Sequence, residues 1–450
     1  MRKEDIMADD TNIYDFAQKL TDKTLKENEE KFFRKEDNKQ PKFHHDEFAE
    51  YIMSKFHVVN INDRLHIYHN GIYLDDERLI KRVMVTQIPK LRRTQQSEVL
   101  EYLRTMAPEK EEETPYLIPL KNGVYDIKQQ TLLPHSPELI FTAQFNVNYD
   151  KDAKSDIVTE TLFTIANEDT EVVEMFTQIF GYLLFKQNFI GKSFLFVGSG
   201  GNGKSLLLRM MQALVGNENT SSVSLQALTE QFNVSSLHHK LLNAGDDIPL
   251  KSVDDASNFK KLSTGEPVLA AYKGQDVFAF SNYAKLVFSA NGIPRWYENS
   301  NGVFDRLIIV PFNARIRGTE KEDPHLPEKV TTEEAKSYLF NVALQGLQKV
   351  LKSNGIFLPT VVQDEMDEFR KSNDPLAAFL ENYDVDGKRI SDAYEEYREW
   401  ANFEGYRKPL IRKEFRKHIL EKEYVDRKMR LETHPNPQWC FVHKDRVVEE

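Results

Sequence analysis

The eight residues Gly198-Ser199-Gly200-Gly201-Asn202-Gly203-Lys204-Ser205 constrain this chain more than any other stretch. They match G-x-x-x-x-G-K-[ST] in full, after a short apolar run (SFLFVG, 193–198) and before an amphipathic one (KSLLLRMMQALVG, 204–216). Glycines let backbone N–H groups turn inward around phosphate oxygens that side chains would obstruct. A helix beginning near Lys204 points its positive dipole end at the same anions. Lys204 is expected on the β- and γ-phosphates and Ser205 on Mg²⁺, so ATP and Mg²⁺ are the expected cofactors. The pattern predicts strand, loop and helix in succession, the start of an α/β nucleotide-binding core.

With 450 residues the chain is too long for one core. A single cysteine, Cys440, excludes an internal disulfide framework and suits a reducing compartment, and Cys440 reads as a core residue. No apolar run is long enough to span a bilayer, so a cytoplasmic location, in a bacterial host, and no membrane partner are expected. The net charge of −11 argues little against nucleic acid, because a motor needs positive charge only where the strand passes. From Arg398 to Arg430, eleven Lys/Arg face six Asp/Glu, so this part is locally basic.

The chain divides into a polar arm (1–40), a mixed α+β module (41–150), the nucleotide-binding segment (151–320), a helical connector (321–372) and a C-terminal module (373–450). In the second zone RLHIYHNGIYL alternates about Asn70-Gly71, a strong hairpin signal, and YLIPLKNGVYDIKQQTLLPH reads as a second hairpin-rich piece. Asp169 or Thr170 is placed to cap a helix. SDAYEEYREWANFEG, LIRKEFRKHILEKE and QWCFVHK predict helix, helix and strand.

Three further signals follow the glycine loop. The run Lys240–Asp247 is a modestly apolar strand ending in two carboxylates; Asp246 is assigned to the metal side and Asp247 to the attacking water. The run Lys285–Asn291 ends in an amide able to hydrogen-bond both phosphate and water, although Asn291-Gly292 alone would pass for a turn. Arg306 stands immediately before the apolar run Leu307–Phe312, where it is expected to reach a neighbouring subunit's ATP.

In this order the segments resemble the superfamily 3 helicase domain, in the phage/plasmid primase-helicase branch that includes poxvirus-like helicases. GSGGNGKS resembles motif A, LLNAGDD motif B, LSTGEPVLAAYKGQDVFAF motif B′, LVFSANGIP motif C, and DRLIIVPF the arginine-finger strand. NGVYDI with TLLPHSP resembles the family's lead-in, and DAYEEYREW its C-terminal winged-helix segment. The resemblance implies an AAA+-like P-loop core with a winged-helix-like C-terminal domain, working as a homo-hexamer that translocates 3′ to 5′ on single-stranded or forked DNA during replication of a phage or mobile element. It places Lys273 at the tip of a pore hairpin, on backbone phosphates, with Lys261 as a weaker contact. Lys408, Arg412, Lys413, Arg416 and Lys417 are the candidate DNA contacts of the C-terminal domain.

Members often carry Glu where Asp247 stands and two arginines before the last strand; here position 305 is Asp, which leaves Arg306. The residues before the loop are short for a primase and carry no acidic metal constellation, so no primase activity is expected and a separate primase or replication protein is the further partner. The alternative is an initiator ATPase that opens an origin without processive unwinding. An RNA-directed motor and an ATP-binding scaffold are the remaining rivals.

Overall fold

The computed structural model describes residues 22–35, 40–253, 255–296, 301–404 and 409–447. It falls into two compact units, Met1–Asp150 and Lys151–Glu450.

The first unit packs four helices, Asp22–Phe32, His45–Phe56, Glu77–Gln87 and Arg93–Met106, around one apolar cluster that includes Phe32, Phe48, Ile80 and Leu103. The helix Asp22–Phe32 of the polar arm is therefore part of this core: Phe32 and Phe48 meet at 5.0 Å between ring centroids. Two three-stranded antiparallel sheets complete the unit (58–61, 64–69, 72–74; and 117–120, 123–126, 131–133). Asn70 and Gly71 form the first sheet's turn, with φ of 47° and 93°. Both central positions need positive φ in such a turn, which explains the residue pair.

The second unit opens with α1 (Asp156–Ile165) and α2 (Thr170–Leu184). Asp169 caps α2 by accepting from the N–H groups of Glu171 and Val172. Then come β1 (Ser193–Val197), α3 (Lys204–Val215), β2 (Thr220–Ser221), β3 (Leu242–Gly245) and α4 (Ser257–Thr264). A hairpin of β4 (Pro267–Ala271) and β5 (Val277–Ser281) precedes β6 (Lys285–Ala290) and β7 (Leu307–Pro311). Five strands form one sheet in the order β2-β3-β6-β1-β7, every pair parallel. Helices cover a parallel sheet on both faces, so its central strands are apolar throughout. Phe194, Leu195, Phe196, Val287, Phe288 and Ile309 are all buried accordingly.

Two helices, α5 (Glu333–Ser353) and α6 (Thr360–Asn373), follow the sheet. The zone expected to be a connector is instead part of this unit. The reason lies in two small residues: Gly181 of α2 faces the α5 backbone at Ala343–Leu347, and Gly346 of α5 faces the α2 backbone at Thr177 and Gln178. A Cβ at either position would run into the opposite main chain. Gly346→Val is expected to cost about 2–3 kcal/mol of stability, the scale of overpacking in a closed interface. Urea denaturation with an unchanged midpoint would show that the two helices separate freely.

The chain ends in α7 (Pro375–Asn382), α8 (Ile390–Phe403), α9 (Arg412–Glu421) and the hairpin of β8 (Tyr424–Met429) and β9 (Gln438–His443). Arg389 bridges Cys440 on the other side of β9. Phe379, Tyr397, Phe415 and Phe441 are fully buried at the centre of this module. Cys440 is buried as well, and burial raises its thiol pKa, which suits a core residue.

Candidate active site

Three strand ends meet at one edge of the parallel sheet. Because β6 lies between β1 and β3, the segments leaving their carboxyl ends are adjacent: the glycine loop, Asn291, and the pair Asp246-Asp247. Strand order therefore brings together residues that are about ninety positions apart in sequence.

The loop has the backbone that its glycines permit. Gly201 and Gly203 adopt φ of 83° and 93°, the left-handed region that L side chains avoid. A Cβ on Gly203 would meet Ile165 Cγ1 at 2.6 Å, so the loop rests on the end of α1. Lys204 begins α3 and is buried; its Nζ donates to Gly198 O at 2.5 Å and to Asn202 Oδ1 at 3.1 Å. Burial lowers its pKa, while Asp246 and Asp247 pull the other way and favour the ammonium.

Ser205 Oγ donates to Asp246 Oδ1 at 3.4 Å, so the hydroxyl and the carboxylate assigned to one metal ion are neighbours. Ser289 of β6 also donates to Asp246 Oδ1, and Asp247 N donates to that same oxygen and to Ser289 Oγ, both at 3.0 Å. Asp247 has φ of 47°, and its Oδ1 accepts from Asn291 Nδ2 at 3.2 Å. Asp246, Asp247, Ser205 and Asn291 are all solvent-exposed. Asp246 turns toward Ser205 and its neighbour Asp247 toward Asn291.

Residues absent from the sequence reading join this edge. Ser289 is one; it lies two positions before Asn291, and nothing in an apolar run singles it out. The segment after β7 is the other. Asn202 Nδ2 donates to Phe312 O at 2.9 Å, and Gly201 O accepts from the N–H groups of Ile316 at 3.1 Å and Arg317 at 3.0 Å. A cavity of about 420 Å³ lies between Gly198–Gly201 and this strap, with the exposed Arg315 and Arg317 in its wall. Two arginines just past the last strand were the available signal.

Other expected contacts lie elsewhere. Arg306 precedes β7, whose first residue pairs with Ser193, so it stands at the amino end of the sheet, opposite the loop. Its Nη1 donates to Gly302 O at 2.9 Å, and its Nε is buried without a hydrogen-bond partner. Lys273 is exposed at the tip of the β4–β5 hairpin, beside Gly274 at φ 78°. The inner face of that hairpin is aromatic: Tyr272 stacks on Phe278 at 5.1 Å, and Phe278 and Phe280 each lie 5.0 Å from His238. Lys261 is exposed on α4. In the C-terminal module Arg412, Lys413, Arg416 and Lys417 share the outward face of α9, because Phe415 and Ile419 turn inward. Of these, Arg416 donates through Nε to Asp426 at 2.8 Å and Lys417 pairs with Glu421 at 3.5 Å. Lys408 lies outside the described residues.

Two family models match parts of this chain. A model described as "D5 N terminal like" matches residues 3–167, and one described as "Family of unknown function (DUF5906)" matches residues 196–306. The chain is 24% identical over 331 residues to "Putative helicase L207/L206" of Acanthamoeba polyphaga mimivirus, covering 65% of this chain and 34% of that protein. It is 23% identical over 234 residues to "Putative helicase 121R" of Invertebrate iridescent virus 3, covering 47% and 24%. A similar match at 23% identity over 238 residues joins 46% of the chain to 24% of "Putative primase C962R" of African swine fever virus. The chain thus spans about a quarter to a third of these relatives. Among solved structures, the apo C-terminal region of NrS-1 superposes with a TM-score of 0.54 at 13% identity, covering 89% of this chain and all of that one, a likeness of fold. No helix among the described residues is long and apolar enough to cross a membrane.

Proposed function

We propose that this chain, related in sequence to the D5-like primase–helicases, is the ATP-driven motor of a superfamily 3 DNA-replication helicase. Its second unit would be an AAA+-like P-loop core followed by a winged-helix-like domain. The observation that carries the reading is the meeting of Lys204, Ser205, Asp246, Asp247 and Asn291 at one sheet edge. The hydroxyl of Ser205 and the carboxylate of Asp246 are hard oxygen donors of the kind Mg²⁺ prefers, and a bound Mg²⁺ would supply charge neutralisation on the β- and γ-phosphates.

In this reading the loop amides and Lys204 hold the triphosphate, and Lys204 balances charge on the β–γ bridge. Asp247 accepts the proton of the attacking water while Asn291, 3.2 Å from its carboxylate, orients that water. The water oxygen bonds to the γ-phosphorus and the bond to the β-phosphate oxygen breaks, which leaves ADP and phosphate. Arg306, which stands at the end of the sheet opposite its own loop, serves a neighbouring subunit's site in this reading. Hexameric assembly and 3′-to-5′ movement belong to the same proposal, through the family resemblance.

Lys273, on an exposed hairpin tip, follows backbone phosphates without reading bases. Lys273→Ala is expected to abolish ATP-dependent strand displacement on a forked duplex while basal ATP hydrolysis stays within about twofold, since the hairpin is not part of the sheet that carries the loop. Unwinding at the wild-type rate in that variant would remove the hairpin from the motor. An origin-opening initiator is the second reading, favoured by the basic face of α9; it predicts local duplex melting without displacement of long strands.

A further inference from the structure

The C-terminal module carries a groove of about 1000 Å³ between α9 and the β8–β9 hairpin. Arg412, Lys413, Arg416 and Lys417 form one wall, Ile390 and Leu420 the apolar floor, and Gln438 and Trp439 the other wall. Trp439 is 52% exposed, an unusual placement for the largest apolar side chain. It sits on β9 opposite Lys428, whose Nζ lies 5.5 Å from the ring centroid. Lys428 thus lies over the ring, while about half of the Trp439 side chain stays open to solvent.

We infer that this groove binds single-stranded nucleic acid, with a base stacked on Trp439 and its phosphates on Arg412 and Lys413. Charge selects a polyanion, and the exposed aromatic face selects one that presents flat rings. The shape separates single strand from duplex. Proteins read a duplex by inserting a helix or ribbon into its grooves, whereas a concavity lined by a tryptophan receives a strand with splayed bases. Arg416 and Lys417 already have carboxylate partners, Asp426 and Glu421, so Arg412 and Lys413 bear most of the phosphate contact. This inference rests on the proposal that the chain works on DNA, but its chemistry is independent of the ATP site.

The chain has three tryptophans; Trp296 is buried and Trp400 half-buried, so Trp439 is the exposed one. Intrinsic fluorescence is therefore the probe, measured on the full chain carrying Lys273→Ala to remove the hairpin contact. Oligo(dT) is expected to quench emission. Adding Trp439→Ala should remove the quench and weaken binding about tenfold, the scale of one base–aromatic stack, while Trp439→Phe should retain most of the affinity. Arg412→Ala with Lys413→Ala should lower the salt dependence by about 1.4, two phosphate contacts on a single strand. Equal competition by a duplex of the same length, or by polyglutamate, would overturn the assignment. So would unchanged oligo(dT) affinity in Trp439→Ala. ATP hydrolysis measured on the unsubstituted chain separates the two readings: oligo(dT) binding that does not depend on Trp439 beside normal hydrolysis sinks only the groove, and Trp439-dependent binding beside no hydrolysis sinks only the motor.

Discussion

Alanine in place of Arg306 is expected to lower ATP hydrolysis by ~10³-fold or more, the range associated with removing an arginine finger. The geometry makes this a demanding prediction. β1 has five residues and carries the glycine loop at its far end, so Arg306 lies roughly 16 Å from its own chain's nucleotide loop at ~3.3 Å per strand residue. No arginine rotamer crosses the sheet, and in an isolated subunit the substitution should change nothing. Its effect must come through a neighbour. Steady-state hydrolysis of the purified variant, with its assembly state measured in the same buffer, decides the matter. Wild-type turnover in a fully assembled Arg306→Ala protein would remove the residue from catalysis and with it the shared pocket.

Lys204→Ala should be nearly as severe, with hydrolysis down about 10²–10³-fold through loss of the charge that balances the β–γ bridge. Here the defect is internal to each subunit. The side chain is buried between Gly198 O and Asn202 Oδ1, so the loop also loses an internal tie, and nucleotide affinity should fall with turnover. The two variants together are more informative than either alone. A mixture of the two inactive proteins contains interfaces where an intact loop, from Arg306→Ala, meets an intact arginine, from Lys204→Ala. Partial recovery of hydrolysis on mixing is the expected result. If the mixture stays as inactive as its components although subunits exchange, the arginine and the loop do not share a site.

The loop, its helix and the alternation about Asn70-Gly71 were legible because each is a local rule. Positive φ at Gly201 and Gly203 and a lysine opening a helix are written within eight consecutive residues. The inward turn of Phe415 and Ile419, which leaves Arg412, Lys413, Arg416 and Lys417 on one face, follows from helical spacing alone. Asp246 was assigned to the metal side and Asp247 to the water by their order at the strand end, but adjacent carboxylates are chemically equivalent until something else contacts them. Ser205 and Ser289 on one side and Asn291 on the other provide that distinction.

What required the tertiary structure were pairings between distant segments. The helix Glu333–Ser353 read as a connector because its sequence shows an amphipathic helix without its partner; Gly181 and Gly346, 165 positions apart, bring it against α2. The same holds for the strap Phe312–Arg317, which hydrogen bonds register against Gly201 and Asn202, and for Trp439, which as a strand residue would pass for core. Local backbone chemistry depends on neighbours in the chain and is readable there. Which of two equal carboxylates faces the hydroxyl, and which tryptophan faces solvent, depends on strand order and packing, and those are set by contacts that sequence spacing does not record.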